Sequence, residues 1–413
     1  MRSLICLLVA TAPLAARADR EPFVTKGPVI LGAHPTEAWI TWGTSHHQGK
    51  AGGLECRTGT PNGATPTLSL FKGENAKGTF EDPACSRMHK VHLTSLEPGT
   101  RYRFTLDRPF PGGKSAEGTF TTPPATATGT VRFVVYGDNR DNPTTEASTR
   151  AGHESVVKAI VAQQPDAAFL LHTGDAALNL TGISGDDRGY TEFFDVERPL
   201  LASRPLAMAF GNHESIDPEY YDGLLSSAAL SGAAHPHYFS IDWGIVHVAL
   251  LDSFEGPASA LAGGQHDPKI TDEQVKWLDA DLTAAEAKGQ KLFLLAHQGA
   301  YSHGPPRASH GGSPDVQKKI VPLMVKHHVL GIFAGHDHYY QRGREGCVDY
   351  LVVGAGGAPM YEPDAKAPGV ASVRKAPSYL TVTVTADGAH GEAREANGEV
   401  FDRFDFAPAL CPK

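Results

Sequence analysis

The spacing of apolar and polar positions changes character once along the chain. Up to about residue 123 it alternates. Glu37-Ala38-Trp39-Ile40-Thr41-Trp42 and Arg101-Tyr102-Arg103-Phe104-Thr105-Leu106 put every second side chain on one face, the signature of half-buried strands. Gly53–Arg57, Lys90–Leu93 and Gly118–Thr122 are shorter stretches of the same kind, and Leu96-Glu97-Pro98-Gly99-Thr100 reads as a turn. Short strands at this density predict a small all-β sandwich. Pro123 to Gly129 has the composition of a linker.

From Val131 onward, short apolar runs alternate with helical stripes. Glu154–Gln163 carries Val156, Val157, Ile160 and Val161 on one face. Thr271-Asp272-Glu273-Gln274 fits a capping box ahead of Val275, Leu278 and Leu282. Ser313-Pro314 starts a helix through Val316, Ile320 and Leu323, which Pro322 is expected to kink. Tyr238–Ile241 and Ile245–Leu251 flank Asp242-Trp243-Gly244 as a hairpin, and Tyr350–Val353 and Tyr379–Thr385 add strands near the end.

Five of the apolar runs end alike. Val131–Tyr136 leads into Gly137-Asp138, Ala167–Thr173 into Gly174-Asp175, and Leu206–Phe210 into Gly211-Asn212-His213-Glu214. Lys291–Ala296 leads into His297, and Val329–Ala334 into Gly335-His336-Asp337-His338. One Gly-Asp pair after a strand is an ordinary turn; five strand ends in series that each carry Asp, Asn or His are not. Open α/β sheets gather ligands at the carboxyl ends of their strands, so Asp138, Asp175, Asn212, His297, His336 and His338 are expected at one edge. Mixed oxygen and nitrogen donors suit first-row divalent metals. Two carboxylate–imidazole groups sharing one carboxylate are enough for two ions.

Composition narrows the picture. The 413 residues allow two domains, and 20% charged with 41% hydrophobic residues describe a soluble globular protein. A formal net charge of −9 gives no basic footprint for nucleic acid, but it does not exclude a phosphate ester, because bound metals dominate their local field. Arg2, the apolar Leu4–Leu14 and Ala16-Arg17-Ala18 read as a secretory signal peptide over residues 1–18, too short to span a membrane. The mature protein is then expected to be secreted or periplasmic, starting near Asp19. Cys6 leaves with the signal. Cys56, Cys85, Cys347 and Cys411 remain, and three pairings can be written. The linker near 123–129 puts two on each side, which favours Cys56–Cys85 and Cys347–Cys411.

The ordered motifs resemble the calcineurin-like metallophosphoesterases, and within them the purple acid phosphatase-like branch. The pieces that carry the resemblance are the Gly-Asp pairs, Gly211-Asn212-His213-Glu214, His297 and Gly335-His336-Asp337-His338-Tyr339-Tyr340-Gln341-Arg342. The Leu-Glu-Pro-Gly-Thr-Arg-Tyr turn and the Phe-Thr-Thr-Pro-Pro ending are similar to the fibronectin-III-like domain that precedes the catalytic domain in that branch. The resemblance implies an α/β (α+β sandwich) domain over 131–413, with two central β-sheets flanked by helices. Ahead of it would stand a β-sandwich over 19–123 and a linker over 124–130. It implies that Asp138 and His338 hold a first ion, that Asp175 bridges, and that Asn212, His297 and His336 complete a second. His213 would face the phosphate.

Two positions depart from the pattern. Arg140 stands where the superfamily commonly has a ligand histidine, and Leu178 where purple acid phosphatases have a tyrosine. Water, Asn139 or His153 would then complete the first ion, and manganese, zinc or iron all fit the donors. The implied activity is hydrolysis of phosphate monoesters by in-line attack of water activated between two metals. The proton donor to the leaving group would be His213, His303 or His310; of the last two, His310 is the better match because glycines follow it. Arg140 would contact the phosphate or pair with a carboxylate. The alternatives are a phosphodiesterase acting on cyclic nucleotides or glycerophosphodiesters, and a non-catalytic extracellular binding protein with a degenerate site.

Mass mapping of non-reduced peptides is expected to find Cys56 linked to Cys85 and Cys347 to Cys411; a bond between the two halves would refute the division at 124–130.

Overall fold

The computed structural model describes residues 23–44, 67–81, 88–127, 129–141, 147–178, 188–216, 218–255, 269–305 and 310–411. The expected signal segment, the strand expected at 53–57 and the expected pair Cys56–Cys85 lie outside these residues.

The N-terminal part contains β1 (Val24–His34), β2 (Glu37–Thr44), β3 (Thr67–Lys72), β4 (Asn75–Glu81), β5 (Met88–Leu93), β6 (Arg101–Leu106) and β7 (Glu117–Thr121). Strands and helices then alternate: β8 (Val131–Tyr136), α1 (Ala147–Gln163), β9 (Phe169–His172), α2 (Arg188–Leu201), β10 (Pro205–Met208), and the short helices α3 (Glu219–Leu224) and α4 (Ser227–Leu230). Next come β11 (Phe239–Trp243), β12 (Val246–Leu251), α5 (Asp272–Ala287), β13 (Lys291–Ala296), α6 (Val321–Lys326) and β14 (Gly331–Ala334). The chain closes with β15 (Tyr340–Glu345), β16 (Val348–Val353), β17 (Val370–Arg374), β18 (Ser378–Val384), β19 (Ala389–Glu395) and β20 (Val400–Asp405).

Two large sheets face each other. One runs β20-β19-β18-β8-β9-β10-β1-β2-β5 and the other β11-β12-β13-β14-β16-β15-β17. Strand alternation explains the layers. Phe133 and Val135 of β8 point between the sheets with Phe169, Phe293, Leu295 and Phe333, whereas Val134 and Tyr136 point outward to Val156 and Ile160 of α1 and Phe193 and Leu200 of α2. Leu292 and Leu294 of β13 point the other way, to Leu278 and Leu282 of α5 and Met324 of α6. Strands covered on both faces must be apolar on both, which is why these runs read as continuous rather than alternating. Phe133 anchors the middle, with its ring 4.9 Å from Phe169 and 5.8 Å from Phe293. Burying each such ring contributes roughly 2–3 kcal/mol.

The N-terminal strands form two layers as well: β1-β2-β5, and a four-stranded sheet β4-β3-β6-β7. Ile40, Trp42 and Val91 of the first meet Leu68, Phe104 and Phe120 in one core. Hydrogen bonding does not stop at residues 124–130, however. β1 pairs in parallel with β10, Ile30 opposite Pro205 and Leu31 opposite Leu206, so the first layer continues the nine-stranded sheet. β1 carries no regular alternation because its middle is buried on both faces. For the same reason the sequence pattern placed no strand there.

Several local expectations are refined. α1 begins at Ala147 rather than Glu154. Thr271 caps α5, accepting from Gln274 N–H at 3.2 Å, but the reciprocal half of the box is absent: Gln274 is spent on Asp252, and Glu255 accepts from Thr271 N–H instead. Ser313 accepts from Val316 N–H at 3.3 Å, and the helix is a wider π turn over Val316–Ile320 before Pro322, whose missing N–H removes one helical bond. Cys347 is bonded to Cys411, fastening the β15–β16 turn to the C-terminal segment.

On the outer face of the seven-stranded sheet, His247 of β12 links its hairpin to α5. Its Nδ1 lies 2.7 Å from Asp242 and its Nε2 3.0 Å from Asp281. Burial opposes its charge, but the two carboxylates outweigh it and push the imidazole up to about 9. A pKa raised on folding gives stability that is full below the unfolded value near 6.5 and lost as pH climbs through about 9. The urea midpoint should therefore fall more steeply with pH between about 6.5 and 9 in the wild type than in His247→Gln. The difference should amount to about 2–3 kcal/mol at neutral pH; parallel curves would refute it.

Candidate metal centre

The loops that carry the expected ligands leave their strands by a backbone that non-glycine residues rarely adopt. Asp138, Arg140, Asp175 and His336 have φ of 58°, 47°, 53° and 68°. Each such residue costs on the order of 1–2 kcal/mol, and the loops are held in place by pairing with each other. Asp138 N–H donates to Gly174 O at 3.0 Å, Arg140 N–H to Asp175 O at 2.9 Å and Leu178 N–H to Asp141 O at 3.0 Å. The glycines before the ligands leave room for them. A Cβ at Gly335 would stand 2.0 Å from Asp138 Oδ2, and one at Gly211 would stand 2.3 Å from Asp175 Oδ1.

Asp138, Asp175 and Asn212 follow β8, β9 and β10 of the nine-stranded sheet. His297, His336 and His338 follow β13 and β14 of the other. Side chains from the two sheets converge at the shared edge. His336 Nδ1 lies 2.9 Å and His297 Nε2 3.1 Å from Asn212 Oδ1, and the two ring nitrogens are 3.2 Å apart. Asp175 joins them, its Oδ1 3.4 Å from His297 Nε2. Asp175, His297 and His336 present donor atoms all within 4.8 Å of one another. His297 Nδ1 is committed to Thr173 O at 2.7 Å and His338 Nδ1 to Pro359 O at 2.8 Å, which leaves each Nε2 as the free donor of the neutral ring.

Electrostatics favour positive charge here. Burial pushes the Asp138 carboxyl up to about 8, with Asp175 adding to the shift against His297. Asp175 is buried too, yet His297 and His213 hold it well below the usual carboxylate range. Burial opposes a proton on His297, but Asp175 and Asp138 overcome it and raise it to about 10. The same field would favour a metal cation at its Nε2. This donor set of carboxylates, an amide oxygen and imidazoles fits first-row divalent ions.

A buried layer behind the ligands fixes them. Glu214 accepts from Gly211 N–H and Asp175 N–H through Oε2, at 3.0 and 2.8 Å, and from Ala176 N–H through Oε1 at 3.0 Å. It holds backbone, not His213. Asp337, between His336 and His338, accepts from Ser302 Oγ at 2.5 Å and from the His310 and Gly311 N–H groups at 2.6 and 3.2 Å. The motif drew notice to its histidines; the role of the aspartate depends on a loop distant in sequence. Neither residue considered as an extra ligand is available. Asn139 is bound to His172 and Gly356, and His153 is fully buried between Asp141 at 2.7 Å and Glu197 at 2.8 Å.

The other polar residues stand around this centre. His213 Nε2 is 3.8 Å from Asp175 Oδ2, its Nδ1 has no hydrogen-bond partner among the described residues, and burial lowers its pKa. The exposed His310 has its ring 4.3 Å from that of His336. Arg140 is near enough to act electrostatically on His213 and His338. His303 is turned away, with its Nε2 2.9 Å from Glu345.

Residues 131–340 match the family model for calcineurin-like phosphoesterases. The chain belongs to that family. The match ends two residues past His338 and so takes in all five strand-end motifs. Among relatives of this calcineurin-like phosphoesterase, purple acid phosphatase 21 of Arabidopsis thaliana is 25% identical over 273 residues, 65% of this chain and 56% of that protein. Tartrate-resistant acid phosphatase type 5 of Oryctolagus cuniculus is 28% identical over 253 residues, 56% of this chain and 74% of that one. The chain thus spans little more than half the length of the plant relative. In fold it is similar to the purple acid phosphatase PPD1 from yellow lupin seeds, with a TM-score of 0.70, 18% identity and coverage of 94% of this chain and 76% of the other. It is also similar to PhoD, with a TM-score of 0.61, 13% identity and coverage of 93% and 89%. The metallophosphoesterase fold, with its strand-rich N-terminal part, is therefore that of the purple acid phosphatases.

The Gly335→Ala variant should lose about 1–3 kcal/mol of stability and bind less divalent metal, because its methyl displaces Asp138. A urea midpoint and metal content equal to wild type would contradict the crowding.

Proposed function

We propose that this chain is an exported phosphoesterase with two metal ions that hydrolyses phosphate monoesters. The observation that carries this reading is the meeting of Asn212 Oδ1, His297 Nε2 and His336 Nδ1 within 3.2 Å, beside the buried Asp175. Asp138 and His338 would hold one ion, Asn212, His297 and His336 the other, and Asp175 both. Manganese, zinc or iron bound there would supply Lewis acidity and lower the pKa of a water, enabling in-line attack on phosphorus.

The chain's own residues do the rest. Arg140 forms no ion pair with any described residue, and its guanidinium would meet the charge of a phosphoryl group. An added cation favours a dianionic monoester over a monoanionic diester. His213, with an unpartnered buried ring nitrogen, would donate to a phosphoryl oxygen. His310, exposed at the rim, would give its proton to the leaving alkoxide. Asp337 holds the backbone that carries His310 and so sets where that proton is delivered. Export is supported by the signal-like N-terminus and the Cys347–Cys411 disulfide.

Asp175→Asn should lower bound metal at both positions, and hydrolysis of p-nitrophenyl phosphate should fall by at least about a hundredfold. Full occupancy with near-normal turnover would sink the two-ion reading. Wild-type turnover of bis-p-nitrophenyl phosphate above that of the monoester would instead make it a diesterase.

A further inference from the structure

The segment after β16 crosses the centre, although no sequence motif marks it. Gly356 N–H donates to Gly137 O at 2.8 Å and Ala358 N–H to Asp138 O at 3.0 Å, tying it to the loop of Asp138. Pro359 O takes the Nδ1 proton of His338 at 2.8 Å, and Tyr361 N–H donates to His338 O at 3.1 Å. Asp364 N–H reaches His303 O at 2.8 Å, fastening the far end. The strap is therefore bonded to three of the loops around the centre.

Tyr361 is the side chain it places there. Its ring is stacked on His338, centroids 4.1 Å apart and planes 18° from parallel, and lies 5.7 Å from the ring of His310. It is half-buried, and no described residue takes its hydroxyl. Arg140, Asp138 and Asp175 lie within electrostatic reach of that hydroxyl. This is the side on which Asp138 and His338 would hold the first ion. The phenol is a rigid donor on a locked ring, and a neutral donor is not repelled by Arg140 as a second cation would be. A phosphoryl group carries more acceptor oxygens than Arg140 and His213 alone can satisfy.

We propose that Tyr361 is a substrate-contacting residue whose hydroxyl donates a hydrogen bond to a phosphoryl oxygen on the Arg140 side of the centre. The inference rests on the phosphoesterase reading, and Tyr361→Phe tests it, because it keeps the ring and its stack and removes only the hydroxyl. With the full chain loaded with Mn²⁺, the Kd for inorganic phosphate by calorimetry and the KM for p-nitrophenyl phosphate should both rise roughly tenfold. kcat should stay within about twofold and metal content should be unchanged. Phosphate affinity and KM both within twofold of wild type would overturn the proposal. So would a fall in metal content, which would mean that Tyr361 acts only by supporting His338. If the wild type turns over no ester but Tyr361→Phe still weakens phosphate binding, the phosphoesterase reading fails and the contact stands. If the wild type binds no phosphate, both fail.

Discussion

Two buried carboxyl groups set the terms for this molecule. Asp138 and Asp175 end neighbouring strands with almost no exposed surface, so neither can spread its charge into water. Burial raises one carboxyl while histidines lower the other. A pair like this is stable only if positive charge stands beside it. His297 and His213 lie within that field, as would a metal cation held by the donors that converge there. The glycines and left-handed residues of the ligand loops follow from the same constraint, because they let several polar side chains crowd into one small space.

The centre belongs to neither sheet alone. Asp138, Asp175 and Asn212 are presented by one, His297, His336 and His338 by the other, so the separation between the groups is set by how the inner faces pack. Interlocked aromatic rings such as Phe133, Phe169, Phe293 and Phe333 fill that interface. A close-packed interior transmits small displacements instead of absorbing them. The core therefore serves the chemistry by fixing distances between residues it does not touch.

Between core and ligands stands a layer of buried polar groups that bind mostly backbone. Glu214 joins the Asp175 and Asn212 loops, Asp337 positions the loop of His310, and His153 clamps Asp141 to α2 through Glu197. Burial disfavours the charge on His153, but its two carboxylates push it up to about 10. Such groups are costly unless fully paired, and when paired they hold one geometry. This layer stabilises the strained loops whose dihedrals would otherwise relax.

The sequence by itself determined the parts that depend on local pattern. Apolar runs ending in Gly-Asp, Gly-Asn-His or Gly-His-Asp-His marked both the strands and the side chains at their ends, because strand burial and the turn that follows are encoded within about ten residues. The family and its fold were legible for that reason. Tertiary structure alone decided what depends on partners far apart in the chain. It joined β1 to β10, so that the N-terminal strands extend the larger sheet. It spent Asn139 and His153 on buried hydrogen bonds, turned His303 to Glu345, and made Asp337 a loop anchor. It brought Tyr361 onto His338 from a segment without any motif. A side chain's partner is chosen by three-dimensional proximity, and proximity between distant segments leaves no period in a single chain.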